Sequence, residues 1–193
     1  MELYLLRHGR TSANEQRLYC GSTDLSLSPR GRAELETLAA ARPLPEFDLI
    51  ADTGMRRTRE TAEILLPGKP SISLPGLREM DFGRFECHDY ETLRHNPVYI
   101  DWITDETGDF VCPDGESRNA FYARIQETLR AFLTEHAECA RICIVCHGGT
   151  VCAILDSFCT EKLGFYEQQP DSGRGWRTQV NFDPLRLEAP ERI

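Results

Sequence analysis

Two histidines in this sequence follow apolar runs and share the same neighbours. Residues 2–6 lead into His8 within the sequence Arg-His-Gly-Arg-Thr, and residues 142–146 lead into His147 within His-Gly-Gly-Thr. A short apolar run of this kind predicts a buried strand, so each histidine opens the loop after a strand. If the two strands are neighbours in a parallel sheet, both imidazoles project toward one pocket, because ligands of such sheets bind beyond the carboxyl ends of the strands.

The residues around these histidines are suited to holding an anion. Glycine after each histidine lets backbone N–H groups approach a ligand closely. A helix beginning near Thr150 would point the positive end of its dipole at the same place. Arg7 adjoins His8, and a guanidinium matches a phosphate or a carboxylate with two parallel hydrogen bonds. A single histidine after a strand is more often structural, but the repeated pattern with an arginine predicts a phosphate or carboxylate site.

The rest of the chain reads as alternating strands and helices that would position these loops. Strands are predicted at residues 2–6, 47–51, 72–74, 142–146 and 177–182, and helices at residues 29–41, 56–66, 116–136 and 151–158. Strands separated by helices imply a mostly parallel sheet covered on both faces. We therefore predict an α/β fold with three α/β/α layers, formed by a single domain over residues 1–193. The irregular, aromatic and acidic segment at about residues 84–113 is predicted to fold as a small helical cap.

The composition excludes several classes of partner. The 193 residues include 22 Lys and Arg against 31 Asp and Glu, a net charge of −9. This acidic balance argues against nucleic-acid binding and against a polybasic membrane-surface protein. There is no run of about 18 apolar residues to span a bilayer, and the apolar start is too short for a secretory signal. We expect a cytoplasmic protein whose partner is a small molecule, and the sequence leaves a homodimer open.

The eight cysteines are expected to be buried thiols. Cys139, Cys143 and Cys146 have spacing close to that of metal ligands. However, Cys143 and Cys146 fall within a predicted strand, where residues three apart point to opposite faces and cannot easily share a zinc ion. We therefore predict no metal site, and free thiols fit a reducing compartment.

Further segments resemble one protein family, in order along the chain. Arg7-His8-Gly9, with Asn14 downstream, resembles the Arg-His-Gly signature of the histidine phosphatase superfamily, in the branch that contains the cofactor-dependent phosphoglycerate mutases. The resemblance covers nearly the whole chain and implies a phosphoglycerate-mutase-like α/β fold. The other segments that resemble the family are the loop and helix at residues 21–31, the helix start at 57–62, the acidic segment at 77–83, the turn at 113–117 and the second His-Gly loop at 145–150.

The resemblance implies phosphoryl transfer centred on His8, which would carry the phosphoryl group as a phosphohistidine. Arg7 and Arg57 would bind the phosphoryl oxygens and lower the pKa of His8, so that the ring stays unprotonated. His147 and Asn14 would donate further hydrogen bonds to those oxygens. No metal or cofactor is implied, because the arginines supply the positive charge. The alternative for Arg57 is a solvated helix face, since three of residues 56–59 are arginines.

The resemblance also implies a proton donor and a substrate-contacting loop. Glu79 would protonate the leaving alkoxide and then activate water, which requires a carboxyl group that is protonated when substrate binds. Cys20 and Gly21 resemble the family loop that contacts substrate, although a simple turn is an alternative, and Gly148 would lie against the substrate from the second His-Gly loop.

Three features depart from the family pattern. Residues 51–55 replace the usual Ser-Ser-Pro-Leu-like lead into the second arginine. Cys87 stands where the family commonly has glycine, and Cys20 stands where Gln or another polar residue is frequent. None of these changes removes a group that does chemistry, so we expect them to affect local shape and substrate fit.

The charges of the cap segment predict the kind of substrate. Acids outnumber bases at residues 88–111, and we expect them to repel a second phosphate or a carboxylate on the substrate. Hydrolysis of a small phosphomonoester with a neutral or cationic leaving group is therefore favoured over mutase action. The arrangement is similar to the alpha-ribazole phosphatase group, which acts late in cobalamin nucleotide-loop assembly, and aromatic residues of the cap could stack on a base. The acids are Asp89, Glu91, Asp101, Asp105, Glu106 and Asp109, and the aromatic residues are Tyr90, Tyr99, Trp102 and Phe110.

Two other functions stay open at this point. A phosphoglycerate-mutase-type isomerase would transfer the phosphoryl group between positions of the substrate faster than to water. A non-catalytic module would bind phosphorylated ligands without turnover, although an idle site has no need of both histidines, both arginines and Glu79.

Overall fold

Six strands form one sheet that carries helices on both faces. The structure is a computed structural model that describes residues 1–160 and 165–193. The strands are β1 (Glu2–Arg7), β2 (Leu49–Asp52), β3 (Ile72–Ser73), β4 (Arg141–Cys146), β5 (Gly175–Phe182) and β6 (Leu185–Arg192). The helices in the described ranges are α1 (Ser12–Glu15), α2 (Pro29–Ala41), α3 (Arg56–Leu65), α4 (Tyr90–Leu93), α5 (Pro97–Ile103), α6 (Arg118–Glu135), α7 (Gly148–Phe158) and α8 (Phe165–Gln168).

The sheet has the strand order β3-β2-β4-β1-β5-β6. The pairs β3–β2, β2–β4 and β4–β1 are parallel, whereas β5 is antiparallel to β1, and β6 is antiparallel to β5. The predicted α/β class with a mostly parallel central sheet is confirmed. β1 and β4 are direct neighbours, so the loops that follow them meet at one edge of the sheet.

Alternation along the strands divides the interior into two cores. On β1, Leu3 and Leu5 pack with α6 and α7, while Tyr4 and Leu6 pack with α2 and α3. Successive strand residues point to opposite faces, so each apolar strand supplies both cores. None of the described helices has the length and apolar character needed to cross a membrane.

The structure differs from the sequence prediction mainly at element ends. α7 begins at Gly148, three residues before the predicted start, so the helix follows His147 directly. β6 was not predicted, because its charged sequence lacks the apolar alternation of an inner strand. Such a composition is typical of an edge strand, where charged residues and proline are tolerated. β6 pairs with β5 through the short turn after Phe182 and closes that side of the sheet.

Between β3 and α6 the chain forms short helices around an aromatic cluster. Phe85, Tyr99 and Trp102 lie 5.4–5.7 Å apart between ring centroids, and Tyr19 from the loop after α1 joins them. The hydroxyl groups of Tyr19 and Tyr99 are 2.6 Å apart. Tyr99 is only 1% exposed, so it belongs to this cluster and offers no stacking surface to a ligand.

Cys87 occupies a backbone conformation that favours glycine. Its φ is +60°. Its N–H donates to Tyr19 O at 2.8 Å, while the N–H of Tyr19 donates to His88 O at 2.9 Å. Cys87 and His88 therefore lie opposite the single residue Tyr19. This is the pairing of a G1 β-bulge, whose first residue is usually glycine. The departure from the family pattern at this position therefore places a Cβ in a left-handed conformation.

We predict that Cys87→Gly increases the free energy of unfolding. The left-handed conformation costs an L-residue about 1–2 kcal/mol, and the greater freedom of glycine in the unfolded chain offsets about 0.5–1 kcal/mol of the gain. The expected net increase of roughly 0.5–1 kcal/mol is measurable by urea unfolding. Cys87→Ala is the matched control, since it removes the thiol but keeps the Cβ. Equal stability of the two variants would contradict the strain at this position.

Candidate active site

His8 and His147 are brought together by the pairing of β1 with β4. Arg7 is paired with Cys146 in the register of the two strands, and the N–H of His8 continues the ladder by donating to Cys146 O at 2.9 Å. The imidazole rings meet edge to face with their centroids 5.2 Å apart. Both side chains are buried at the carboxyl edge of the sheet.

The ring of His8 is held as a neutral tautomer with a free Nε2. Its Nδ1 lies 2.7 Å from Gly9 O, and a carbonyl oxygen can only accept, so Nδ1 carries the proton and Nε2 keeps its lone pair. Burial lowers the pKa of His8 well below its usual value, and the guanidinium groups of Arg57 and Arg7 lower it further against the opposing effect of the Gly9 carbonyl. The arrangement leaves an unprotonated nitrogen available as a nucleophile.

His147 has protein partners on both ring nitrogens. Its Nδ1 accepts from Arg57 Nε at 3.2 Å, so Nε2 carries the proton and lies 2.9 Å from Thr53 Oγ1. Burial and the charge of Arg57 lower the pKa of His147 well below its usual value. Both ring nitrogens are engaged within the protein, and the expected donation from His147 to phosphoryl oxygens stays a prediction. The ring instead orients Arg57, because the lone pair on Nδ1 fixes the direction of the guanidinium.

Thr53 explains how the unusual sequence at residues 51–55 serves the site. Its hydroxyl accepts from His147 Nε2 and lies 3.1 Å from Thr58 Oγ1, which in turn donates to Met55 O at 2.8 Å. In this buried series of hydrogen bonds each hydroxyl both accepts and donates, and the series ends on a carbonyl oxygen that can only accept. The series therefore fixes the tautomer of His147. Although residues 51–55 differ from the family pattern, they supply the Thr53 hydroxyl that accepts from His147.

Arg7 has one buried donor without a partner. Its Nη1 donates to Pro170 O at 2.9 Å, but Nε is buried and has no hydrogen-bond partner among the described residues. A Cβ built on Gly148 would lie 3.4 Å from this nitrogen and 2.9 Å from the amide nitrogen of Gln169. Glycine at position 148 therefore leaves the approach to the guanidinium open. An unpaired buried cation donor is suited to an oxyanion.

Arg57 is buried beside His147, which excludes the solvated helix face. Its Nη1 donates to Thr23 O at 2.8 Å, and its Nη2 donates to Gly21 O at 2.7 Å. A guanidinium carries five N–H donors, so these bonds and the one to His147 leave two donors for a further acceptor. Arg57 thus joins the second histidine to the loop at residues 21–23.

Glu86 holds the same loop from the other side and was not singled out by the sequence analysis. Its carboxylate accepts from the backbone N–H groups of Gly21 at 2.8 Å, Ser22 at 2.9 Å and Thr23 at 3.2 Å. It also accepts from the hydroxyl of Thr23 at 2.6 Å. Both backbone polar groups of Gly21 are therefore engaged within the protein. The structure assigns Gly21 to loop packing, contrary to the expectation that it contacts substrate.

Glu79 reaches the cleft beside the start of α7. Its Oε2 accepts from the N–H of Gly149 at 2.8 Å, and its Oε1 accepts from the N–H of Met80 at 3.0 Å. Burial raises the pKa of Glu79 above its usual value, although these two N–H groups and the arginines act in the opposite direction. A carboxyl group with a raised pKa is suited to donating a proton near neutral pH.

Two further residues, missed in the sequence, fix the backbone that carries Glu79. Arg124 of α6 donates from Nη1 to Gly76 O at 2.8 Å and to Arg78 O at 3.1 Å. Its Nη2 donates to the carboxylate of Glu116 at 2.6 Å, and the same Glu116 oxygen accepts from the N–H of Asp81 at 2.9 Å. The pair therefore ties α6 to residues on both sides of Glu79. The residue types alone do not signal this role, because the backbone carbonyls bound by Arg124 and the backbone N–H bound by Glu116 are remote in the sequence.

Asn14 and Cys20 line the open side of the site. Asn14 Oδ1 accepts from the N–H of Thr11 at 3.0 Å as part of a capping box at α1, which directs its amide nitrogen away from the cap. Cys20 Sγ lies 3.5 Å from Thr23 O, and burial raises its pKa to about 11. The Cys20 side chain is therefore a neutral thiol at neutral pH and no nucleophile.

These residues surround a cleft of about 470 Å³. Of the nine site residues proposed from the sequence, six line the cleft. Arg57, His147 and Gly21 are not among its lining residues. The six lining residues are Arg7, His8, Asn14, Cys20, Glu79 and Gly148, and the outer part of the cleft is formed by Tyr19, Phe82, Trp102, Arg118, Phe121 and Tyr122.

The acids of the cap segment do not face this cleft, so the electrostatic argument from composition was wrong. Asp89 accepts from Thr92 at the start of α4, and Asp105 accepts from Thr107 and Phe110 in a local turn. Between residues 88 and 111, only Trp102 lines the cleft. The charged side chain at its outer end is Arg118, which donates to Glu106 O at 3.0 Å.

Within the described ranges, no group of three or more His, Cys, Asp or Glu side chains is arranged to hold a metal ion. Burial raises the pKa values of Cys143 and Cys146 above the usual range for a thiol. Both side chains are fully buried in β4 and behave as small apolar groups.

Fold and site together define an α/β protein with an oxyanion site at the carboxyl edge of its sheet, built from two histidines and two arginines. The family model for the histidine phosphatase superfamily (branch 1) matches residues 3–173. The chain belongs to the histidine phosphatase superfamily and is a phosphatase.

The chain is similar to three relatives of known name. The chain is 32% identical over 159 residues to the adenosylcobalamin/alpha-ribazole phosphatase of Salmonella typhimurium, a match that covers 80% of this chain and 78% of that protein. The crystal structure of the alpha-ribazole phosphatase from Shigella flexneri superposes with a TM-score of 0.81 at 28% identity, covering 97% of this chain and 94% of that one. The crystal structure of a phosphoglycerate mutase from Thermus thermophilus superposes with a TM-score of 0.74 at 31% identity, covering 100% and 99% of the two chains.

Proposed function

We propose that this protein hydrolyses alpha-ribazole 5'-phosphate through a phosphohistidine on His8, as a step of cobalamin biosynthesis. The observation that carries the proposal is the pairing of a neutral His8, whose Nε2 is free, with a carboxyl group of raised pKa on Glu79 in one cleft. The relatives that are alpha-ribazole phosphatases support the substrate.

The first chemical step transfers the phosphoryl group to the protein. Arg7 binds a phosphoryl oxygen through its unpaired Nε, and the positive charge of Arg57, which also acts on His8, stabilises the negative charge of the transferred group. The lone pair of His8 Nε2 forms a bond to phosphorus as the bond to the ester oxygen breaks, and Glu79 gives its proton to the departing oxygen. The products of this step are a free alcohol, a phosphohistidine and an ionised Glu79.

The second step releases phosphate and restores the protein. The carboxylate of Glu79 takes a proton from a water molecule, whose oxygen attacks phosphorus as the bond to Nε2 breaks. The proton taken from water returns Glu79 to its starting state, and orthophosphate leaves the cleft. His8 regains its lone pair without changing tautomer, because Nδ1 stays bonded to Gly9 O throughout.

The outer cleft supplies a slot for the aromatic base of the leaving group. Phe82 and Trp102 stand 5.9 Å apart between ring centroids, nearly perpendicular to each other, and Tyr19 packs edge to face on Trp102. Rings in this arrangement offer both faces and edges to a planar heterocycle. None of the eight cysteines, all of which lie within the described ranges, forms a disulfide, which supports a cytoplasmic location in a reducing environment.

The alternative, a phosphoglycerate-mutase-type isomerase, is favoured by one observation, the cationic side chain of Arg118 at the outer end of the cleft. A guanidinium there could hold a substrate carboxylate. Hydrolysis is nevertheless the better proposal, because the other residues of the outer cleft are aromatic.

A panel of phosphomonoesters tests the proposal and separates it from the alternative. We predict that kcat/KM for alpha-ribazole 5'-phosphate exceeds that for 3-phosphoglycerate by about tenfold or more, since an empty aromatic slot forfeits binding energy. We also predict that turnover of p-nitrophenyl phosphate is unchanged by a chelator. Isomerisation of 3-phosphoglycerate faster than its hydrolysis, or loss of activity with chelator, would overturn the proposed function.

A further inference from the structure

A second cleft, rich in arginine, lies beside the start of β5 and the end of β6. It has a volume of about 220 Å³ and is lined by side chains from the end of α2, the segment before β5 and the end of β6. Its charged side chains are those of Arg42, Arg174, Arg192 and Asp171, so three cations accompany one anion. On a chain with a net charge of −9, such a concentration of positive charge is unusual.

These arginines have no carboxylate partner, unlike several other cations on the surface. Arg30, Arg32 and Arg141 each form an ion pair at 2.6–2.8 Å. Among the described residues, none of the three arginines of the second cleft lies within 4.0 Å of a carboxylate oxygen. Several guanidinium groups that line one cleft without forming an ion pair are suited to the recognition of a phosphate-type oxyanion.

One of these arginines is fixed in place before any ligand binds. The guanidinium carbon of Arg192 lies 5.3 Å from the ring centroid of Trp176, and its Nη2 donates to Glu167 O. Two contacts of this kind reduce the rotamer entropy that the side chain would lose on binding. Trp176 is 5% exposed, so its ring senses a change at Arg192 with little interference from solvent.

The segment that lines the second cleft also holds the phosphoryl-binding Arg7. Pro170 O accepts from the guanidinium of Arg7 at 2.9 Å. The N–H of Arg7 donates to Arg174 O at 2.9 Å, and the N–H of Gly173 donates to Arg7 O at 3.0 Å. A ligand that moves this segment therefore acts directly on both the backbone and the side chain of Arg7.

We propose that the second cleft is a binding site for a phosphate-type oxyanion, coupled to the active site through residues 170–174. Free orthophosphate and the phosphoryl group of a nucleotide share this chemistry. The cleft lies outside the site described above, because it shares none of the residues that line the catalytic cleft.

Tryptophan fluorescence can report binding at this cleft. The chain has two tryptophans, and Trp102→Phe leaves only Trp176. This variant is titrated with orthophosphate and, separately, with ADP, each against sodium chloride at equal ionic strength to account for screening. A saturable change with orthophosphate identifies the free ion as sufficient, whereas a change with ADP alone identifies a nucleotide.

Charge-reversal variants locate the response. Arg42→Glu and Arg174→Glu, each made in the Trp102→Phe background, are expected to raise the apparent Kd by about tenfold or more. Arg42 lies on a different element from the segment that contacts Arg7, so Arg42→Glu separates the second cleft from the active site. Arg59→Glu is the matched control, because Arg59 is exposed and remote from this cleft, and it should leave the Kd unchanged.

The coupling is tested by inhibition of aryl phosphate hydrolysis. Orthophosphate should inhibit the wild type in a mixed manner, and Arg42→Glu should convert this to purely competitive inhibition. Absence of a fluorescence response to both probes, or an unchanged response in both variants, would overturn the proposed site. Purely competitive inhibition of the wild type would overturn the coupling. The fluorescence experiment needs no turnover, so its result is independent of the proposed function.

Discussion

Replacing His8 by alanine is expected to lower kcat for a phosphomonoester by roughly four orders of magnitude or more, as for other enzymes that lose their nucleophile. The imidazole is the one group in the cleft that combines burial, a lowered pKa and a free nitrogen directed away from its backbone partner. In the variant, water would have to attack the phosphoryl group directly. The reaction would then lose the covalent intermediate that divides one difficult step into two easier ones.

Two measurements separate the loss of a nucleophile from loss of folding. Wild type mixed briefly with substrate and quenched in base should carry a phosphoryl group on His8, detectable by mass spectrometry, whereas His8→Ala should carry none. His95→Ala is a matched control, since His95 is exposed on the segment before α5 and should retain full activity. A labelled protein in the His8→Ala variant, or turnover within about tenfold of wild type, would contradict the assignment of the nucleophile.

Replacing Glu79 by glutamine is expected to lower kcat for alpha-ribazole 5'-phosphate by about 10²–10⁴-fold, the range for loss of a general acid. The effect should be smaller for p-nitrophenyl phosphate, because p-nitrophenolate leaves without protonation. Glutamine retains one oxygen that can accept from the N–H of Gly149, whereas the N–H of Met80 loses its acceptor. Equal losses for the two substrates would contradict proton donation by Glu79.

The pH profile gives a second test of the same residue. The pKa of Glu79 is raised by burial, so the carboxyl group is fully protonated below that raised value and loses its proton as pH rises through it. The pKa of His8 is lowered, so protonation of the nucleophile limits the rate only in more acidic solution. We therefore predict that kcat/KM for alpha-ribazole 5'-phosphate falls on the alkaline side and that this fall disappears in Glu79→Gln. Glu91→Gln is the control, because Glu91 is exposed on α4 and its removal should leave the profile unchanged.

The second cleft and the catalytic cleft share one structural origin, the antiparallel addition of β5 to a parallel sheet. β5 starts beside Leu6, so the segment that leads into it passes the end of β1 and contacts Arg7. A parallel strand at this position would have brought its carboxyl end to the same edge. The reversed strand instead delivers residues 170–174 there, together with the arginines that line the second cleft.

The sequence by itself determined the alternating strands and helices, the class of fold and the family. It also indicated the groups that meet at the sheet edge, because His8 and His147 each follow an apolar strand and the carboxyl ends of parallel strands share an edge. These inferences depend on local patterns, which neighbouring residues in the chain largely set. β6 escaped prediction because an edge strand with one exposed face carries little apolar periodicity.

Only the tertiary structure decided what each polar side chain does. Glu79 and Glu86 lie seven residues apart with similar neighbours, yet Glu86 accepts several hydrogen bonds from the loop at residues 21–23, while Glu79 is the carboxyl group whose pKa is raised. The sequence also did not reveal which way the acidic side chains of the cap segment point or which groups bind the ring of His147. The physical reason is that desolvation and hydrogen-bond direction depend on groups remote in the sequence, which only the packed fold brings within a few ångströms.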